Sequence, residues 1–325
     1  MQVSTMKMVL LNKCLLVIIV ATACSSAATT QKNAPAAGAV APQAPKSDKT
    51  RRALDQRLAQ IAAEARGRVG VAARLLETGE EANLSAGEHF PMQSVYKLPI
   101  AMAVLRRVDA GELKLDQMVQ VTKSDFVRQG QASPVRDKYP NGTQLTLAEL
   151  LRYTVGESDG TTSDVLLNLV GGGQAVIAFL KEINVSGLNI VNSEKEIGRD
   201  WQTQYENWAT PRGALDLLAA LHAQRGLSPE SQKLVLKLMT ESTPGQKRLK
   251  GQLPAGTVVA HKTGTGGTRN GVTSATNDIG IITLPNGRHI AVAVFISDSA
   301  ADLATREAVI AKIAKALSDE WAKTP

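Results

Sequence analysis

Aromatic side chains are scarce in this sequence, at 3% of 325 residues, and no block of five or more basic residues occurs although the formal net charge is +7. A nucleic-acid face needs clustered Lys and Arg interleaved with stacking rings, so that function is not indicated. Cysteine is scarcer still: Cys14 and Cys24 are the whole complement. Beyond residue 24 the chain therefore has neither a disulfide framework nor a thiolate metal site. His89, His222, His261 and His289 are scattered, with no HExxH or similar ligand spacing, so no catalytic zinc is expected. The apolar run LLVIIVA, residues 15–21, is too short to cross a bilayer as a helix.

What is present begins with an export signal over residues 1–23. Lys7 and Lys13 supply its positive region, LLVIIVA its apolar region, and small residues follow. Its removal lowers the net charge from +7 to +5. ATAC, residues 21–24, resembles a bacterial lipobox, with Cys24 as the lipidated residue; plain cleavage nearby is the alternative. Residues 24–48, rich in Ala, Pro, Ser and Thr without periodicity, read as a flexible tether.

The body starts near Lys49. DKTRRALDQRLAQIAAEARG has helical periodicity up to Gly67, and VGVAARLLE (69–77) reads as a strand followed by a turn and a short second strand. From Ser94 to about residue 239 the signals are mostly helical. Strand patterns return at 257–264, 277–284 and 288–297, the last two joined by Pro-Asn-Gly, a hairpin signal, and a final helix covers about 301–322. A two-stranded hairpin alone is marginal, so the early and late strands must share a sheet. The expected architecture is α/β plus all-α: one antiparallel sheet flanked by terminal helices, from residues 49–93 and 240–325, with an all-helical part, 94–239, inserted.

Three short motifs carry candidate chemistry. In SVYK, Ser94 and Lys97 share a helix face near its N-terminus. A serine hydroxyl is a weak nucleophile until a base takes its proton, and a desolvated lysine can be that base. The bland alternative is a cap and a solvated lysine. GESDG (156–160) matches the G-x-S-x-G nucleophile elbow, but that needs strand, turn, helix, and TLAELLRYTV before Ser158 has helical spacing. Ser158 then reads as a hydroxyl at a helix–helix turn that relays a proton. HKTGTGG (261–267) puts Lys262 and Thr263 on a strand leading into glycines, where a carboxylate can approach the backbone. No GK[ST] follows, so a phosphate loop is not supported. His261 reads as a core or edge histidine.

Together and in this order, S-x-x-K, S-D-x and K-T-G resemble the serine β-lactamase and penicillin-binding protein superfamily. From about residue 50 onward the resemblance is to class A β-lactamases, and to their extended-spectrum branch through PMQSVYKLP, LVGG, YENW, LPAGTVVAHKTGTGG and ATNDIGII. The resemblance implies Ser94 as acylated nucleophile, Lys97 as its proton partner, and Ser158 as relay to the departing lactam nitrogen. Lys262, Thr263, Gly264 and Thr265 would form the substrate-binding strand, and the backbone N–H groups of Ser94 and Thr265 the oxyanion hole. Glu194, in NSEKEIGRDWQTQYENW, would activate the deacylating water; Glu196, two positions on, is its rival. Whether Lys97 or Glu194 is the acylation base stays open. Three departures stand out: Gly160 where Asn is usual, Gly198 where Asn or His is usual, and no arginine on the strand after KTG. Arg248 would reach the substrate carboxylate instead; the alternative is a surface charge. No metal and no cofactor is implied, the partner is a small β-lactam rather than nucleic acid, and the chain is expected to be a monomer in the periplasm, membrane-attached if Cys24 is lipidated. A DD-peptidase or a non-hydrolytic penicillin sensor is the alternative.

Overall fold

The computed structural model describes residues 48–323, with side chains from Arg52 onward. The signal, Cys14, Cys24 and the tether up to residue 47 lie outside the described residues. The main sheet is antiparallel, in the order Glu81–Leu84, Arg68–Leu75, His289–Ser299, Val272–Thr283, Val259–Thr265, with Thr268–Arg269 pairing the start of Val272–Thr283. First and last strands of the chain are thus central neighbours, as the marginal stability of a lone hairpin requires.

The central strand His289–Ser299 shows why both faces must be covered. Its Ile290, Val292, Val294 and Ile296 enter one core with Leu58, Ile313 and Trp321 of the terminal helices Asp48–Ala63 and Leu303–Trp321. Its Ala291, Ala293 and Phe295 enter the other core, shared with Leu98, Leu151 and Leu217. Alternate side chains point to opposite faces of a strand, so one strand feeds two cores. The small residues Ala291 and Ala293 let the helix Pro211–His222 lie close on the second face.

Between residues 97 and 240 the helices Lys97–Asp109, Leu147–Gly156, Gly160–Leu169, Gly172–Glu182 and Pro229–Thr240 pack around the apolar face of the first. Several have clear N-terminal stops, such as the Thr146/Glu149 capping box and Asp159 accepting from the Thr162 N–H. Three differences from the sequence reading have local causes. Phe90–Pro91, Leu188–Asn189 and Trp208–Ala209 form a small sheet, and Met118–Val121 pairs with Thr143–Thr146. Strands of two to four residues are too short to show a period of two. The fourth main strand starts at Val272 rather than 277, because its small polar start, Val-Thr-Ser-Ala-Thr, is ordered by its pairing with neighbours instead of by apolar alternation.

Candidate active site

Ser94 sits in a single 3-10 turn, Gln93–Tyr96, that runs straight into the helix Lys97–Asp109. The approach to it is fastened to the sheet: Asn277 Nδ2 donates to the carbonyls of Pro91 and Met92 at 2.8 and 3.1 Å. Gln93 takes a left-handed φ of 47° and its buried amide donates to Gln204 at 2.9 Å. A non-glycine residue held there carries strain that its surroundings must offset, and such residues cluster at functional sites.

Lys97 is 1% exposed, and its ammonium makes two hydrogen bonds and one ion pair. It donates to Ser94 Oγ at 2.9 Å and to the Ser158 carbonyl at 2.8 Å, and pairs with Glu194 Oε2 at 3.2 Å. It is therefore neither solvated nor incidental to the serine. Ser158 lies between the helices Leu147–Gly156 and Gly160–Leu169 with φ 58°. Helix, turn, helix excludes the nucleophile elbow. Its hydroxyl accepts from Lys262 Nζ at 2.8 Å, so this one residue joins both lysines. Lys262 is fully buried; burial first, and the nearby Lys97 charge second, hold its pKa well below the ordinary lysine value.

Glu194 opens the short helix Glu194–Ile197, with its side chain 13% exposed. Its Oε2 also accepts from Tyr96 OH at 3.2 Å. Burial, and then the carboxylates of Glu194 and Asp164, push the Tyr96 phenol well above its ordinary pKa, so it stays a donor. Glu196 faces away. It closes a capping box with Ser193, accepting from the Ser193 N–H at 2.8 Å, while Ser193 Oγ accepts from the Glu196 N–H. Of the two rival acids, only Glu194 meets Lys97.

The two glycine departures both touch this loop. A Cβ on Gly160 would lie 2.8 Å from Glu194 Cγ, and one on Gly198 would lie 2.5 Å from Gln131 Cδ. Gln131 fills the space over Gly198: its amide donates to the Glu194 carbonyl, and its Oε1 accepts from the Arg128 N–H at 3.0 Å. Asp164 holds the same loop from below, accepting from the Glu194 and Lys195 N–H groups at 2.6 and 2.9 Å. Burial, with a smaller push from Glu194, raises the Asp164 pKa to about 7. Gln131, Asp164 and Tyr96 were not singled out from sequence. For Asp164 a signal existed: it is four residues after Gly160, on the same helix face.

Opposite stands the strand Val259–Thr265. Gly264 lets it press on the segment leading to Ser94, for a Cβ there would lie 2.3 Å from the Met92 carbonyl oxygen. Arg248 is 4% exposed, which overturns the surface-charge alternative. It donates to Thr265 Oγ1 at 2.8 Å and to the carbonyls of Asn277 and Gly264 at 2.9 and 3.2 Å, and pairs with Glu307 at 3.3 Å. His261 is buried, with Nδ1 on Asp278 at 2.9 Å and Nε2 without a partner among the described residues. Ser94, Ser158, Glu194, Thr263 and Thr265 line one open cleft of about 560 Å³, with Lys97, Lys262 and Arg248 just behind its walls.

A hydroxyl bonded to a buried amine, which is paired in turn with a carboxylate, can take up an acyl group and pass it to water. Residues 53–321 match the beta-lactamase enzyme family. The chain is 44% identical over 252 residues to the beta-lactamase VEB-1 of Pseudomonas aeruginosa, covering 76% of this chain and 83% of that protein. It is 42% identical to the extended-spectrum beta-lactamase PER-1 of Pseudomonas aeruginosa, covering 81% and 85%. A beta-lactamase from Chitinophaga pinensis superposes with a TM-score of 0.80 at 47% identity, covering 82% of this chain and 98% of that one. The TLA-3 extended-spectrum beta-lactamase does so with a TM-score of 0.81 at 41% identity, covering 84% and 100%. With its serine, its two lysines and its loop carboxylate gathered at one cleft on that shared fold, the chain belongs to the beta-lactamase family, among the class A serine enzymes.

Proposed function

We propose that this class A β-lactamase opens penicillins and cephalosporins through an ester on Ser94 and releases the product with a water activated by Glu194. The observation that carries the reading is the position of Lys97 Nζ, in contact with Ser94 Oγ and Glu194 Oε2 at once. Ser94 Oγ attacks the lactam carbonyl while its proton leaves toward the Lys97–Glu194 pair. The carbonyl oxygen takes negative charge between the backbone N–H groups of Ser94 and Thr265, where each donor is worth about 3–4 kcal/mol in acyl transfer. As the C–N bond breaks, Ser158, its hydroxyl oriented by Lys262, passes its proton to the ring nitrogen and takes up in turn the proton that left Ser94, so Glu194 is a carboxylate again. Water then gives a proton to Glu194 and attacks the ester, freeing Ser94 and the ring-opened acid. Thr263, Thr265 and, behind them, Arg248 suit the substrate carboxylate, since charge-assisted bonds to an ionised group are the strong ones.

The test is turnover of a chromogenic cephalosporin beside intact-mass analysis after penicillin. The wild type turns over without lasting adduct, and Ser94→Ala forms no adduct while remaining folded. A wild type that acylates and stalls is a DD-peptidase or sensor; an adduct on Ser94→Ala removes Ser94 as nucleophile. We further place the enzyme on the periplasmic side, tethered through Cys24, on the strength of ATAC and the segment after it. Wild type found fully soluble in the periplasm, and unchanged in Cys24→Ala, rejects the tether.

A further inference from the structure

We propose that Glu77, His222 and His289 form a binding site for one divalent transition-metal ion, remote from the cleft. Three elements meet there. Glu77 follows the strand Arg68–Leu75, His289 opens the strand His289–Ser299, and His222 is the last residue of the helix Pro211–His222. One ligand atom from each lies within 4.8 Å of the other two.

The carboxylate is already held. The His289 N–H donates to both Glu77 oxygens at 3.1 and 3.0 Å, and Glu77 Oε1 lies 2.8 Å from His289 Nδ1. The His222 and His289 rings sit 4.8 Å apart between centroids, inclined at 49°. Among the described residues the nitrogens of the His222 ring have no hydrogen-bond partner. In a tetrahedral site with ligands about 2.0–2.1 Å from the ion, donor atoms are about 3.3 Å apart. The Glu77–His289 pair is inside that spacing, and a side-chain rotation of about 1.5 Å brings His222 in, from the same 4.8 Å limit. Glu77 is exposed and both histidines are half-buried, which leaves the outer position to water. The helix C-terminus beside His222 carries partial negative charge and favours a cation. Two imidazoles and one carboxylate select zinc, copper or nickel over the oxygen-seeking magnesium and calcium.

The site is separate from catalysis. His289 pairs with Thr283, whereas Thr276 of the same strand pairs with Thr265 in the cleft wall. The seven steps from Thr276 to Thr283 span about 23 Å at roughly 3.3 Å each. Of the other histidines, His261 is spoken for by Asp278 and His89 stacks on Trp208 at 3.5 Å.

The experiment is a Zn²⁺ titration of the untagged, chelator-stripped, thiol-blocked full chain, followed by calorimetry and by the thermal midpoint. Blocking the thiols removes Cys14 and Cys24 as competing ligands. One saturable site is expected at submillimolar Zn²⁺, with a raised midpoint. His222→Ala and His289→Ala should each weaken binding by more than about tenfold, and Glu77→Gln by about tenfold, the scale on which altering a metal site's support is felt. Cobalt(II) should give the visible absorption of a four-coordinate ion in the wild type and lose it in the histidine variants. His222→Ala lies at a helix end and leaves the strand intact, so it keeps the test valid if His289→Ala folds poorly. Chromogenic cephalosporin turnover should be the same with and without Zn²⁺. Absence of saturable binding, or wild-type affinity in His222→Ala, reduces the cluster to an ion pair beside a tilted ring and overturns the proposal.

Discussion

The two walls of the cleft are built in opposite ways. The strand wall, Lys262 to Thr265, is part of a long sheet ladder: it pairs with Thr276–Ile279, Gly264 presses on the Met92 carbonyl, and Arg248 is buried behind it. The loop wall, Glu194 to Gly198, has only one helical turn of its own. It is held by groups distant in sequence: Asp164, Gln131, Tyr96 and Lys97. In the proposed mechanism, forming the ester draws mainly on the first wall and on SVYK, while releasing it draws on the second. Release is therefore the step most exposed to changes far from the reacting atoms.

The largest difference between the two walls is expected from Glu194→Ala. Acylation of Ser94 should persist at a measurable rate, and deacylation should fall by roughly 10²–10⁴, the usual worth of a positioned general base. A burst followed by almost no turnover, with a stable adduct by mass, is the expected record. Glu196→Ala is the matched control: it should lose about 0.5–2 kcal/mol of stability with its cap and leave turnover intact. Reversed results would move the base to Glu196.

Asp164 sharpens the comparison through pH. Its folded pKa of about 7 lies above its unfolded value, so the folded state holds the proton more tightly. The stability it contributes is full below about pH 4 and is lost as pH rises toward 7, a change of up to about 4 kcal/mol. Asp164→Asn cannot titrate, so the wild type should lose stability relative to it across that window in denaturant unfolding at several pH values. A constant difference between the two proteins contradicts the raised pKa.

Arg248→Ala probes the strand wall. Removing a charge-assisted partner costs about 1.5–3 kcal/mol, so KM for cephalosporins should rise more than about tenfold with a smaller change in kcat. Kinetics unchanged across several cephalosporins would confine Arg248 to a structural part in bracing the strand.

The smallest effect concerns Gln131. Gln131→Ala removes one hydrogen bond to the Glu194 carbonyl, about 0.5–1.5 kcal/mol, and should slow deacylation severalfold. Gly198→Asn alone meets the Gln131 side chain and should cost more; in the Gln131→Ala background that cost should shrink. Additive effects in this double-mutant cycle would show that the two positions do not share space.

The nucleophile side was legible because Ser94 and Lys97, three apart at a helix start, are neighbours by helix geometry alone. The apolar run within 288–297 likewise reads as a strand from the sequence. Family resemblance, not spacing, singled out Glu194 from Glu196; in the structure the second is occupied as a cap, and the first faces Lys97. Of the two- to four-residue strands only Glu81–Leu84 was legible, from the turn before it; those of the two small sheets have too few residues to show a period of two.

Elements with strong local periodicity, the motifs SVYK, SDG and HKTG, and the order in which they arrive were readable along the chain. What fills the space left by Gly160 and Gly198, the burial of Arg248, and the meeting of Glu77, His222 and His289 at one corner came from packing alone. The physical reason is range. Helix and strand geometry couple residues two to four apart, and that coupling is written in the sequence. A contact such as Gln131 with Glu194 spans 63 positions and exists only once separate elements pack, because packing, rather than spacing, brings its two ends together.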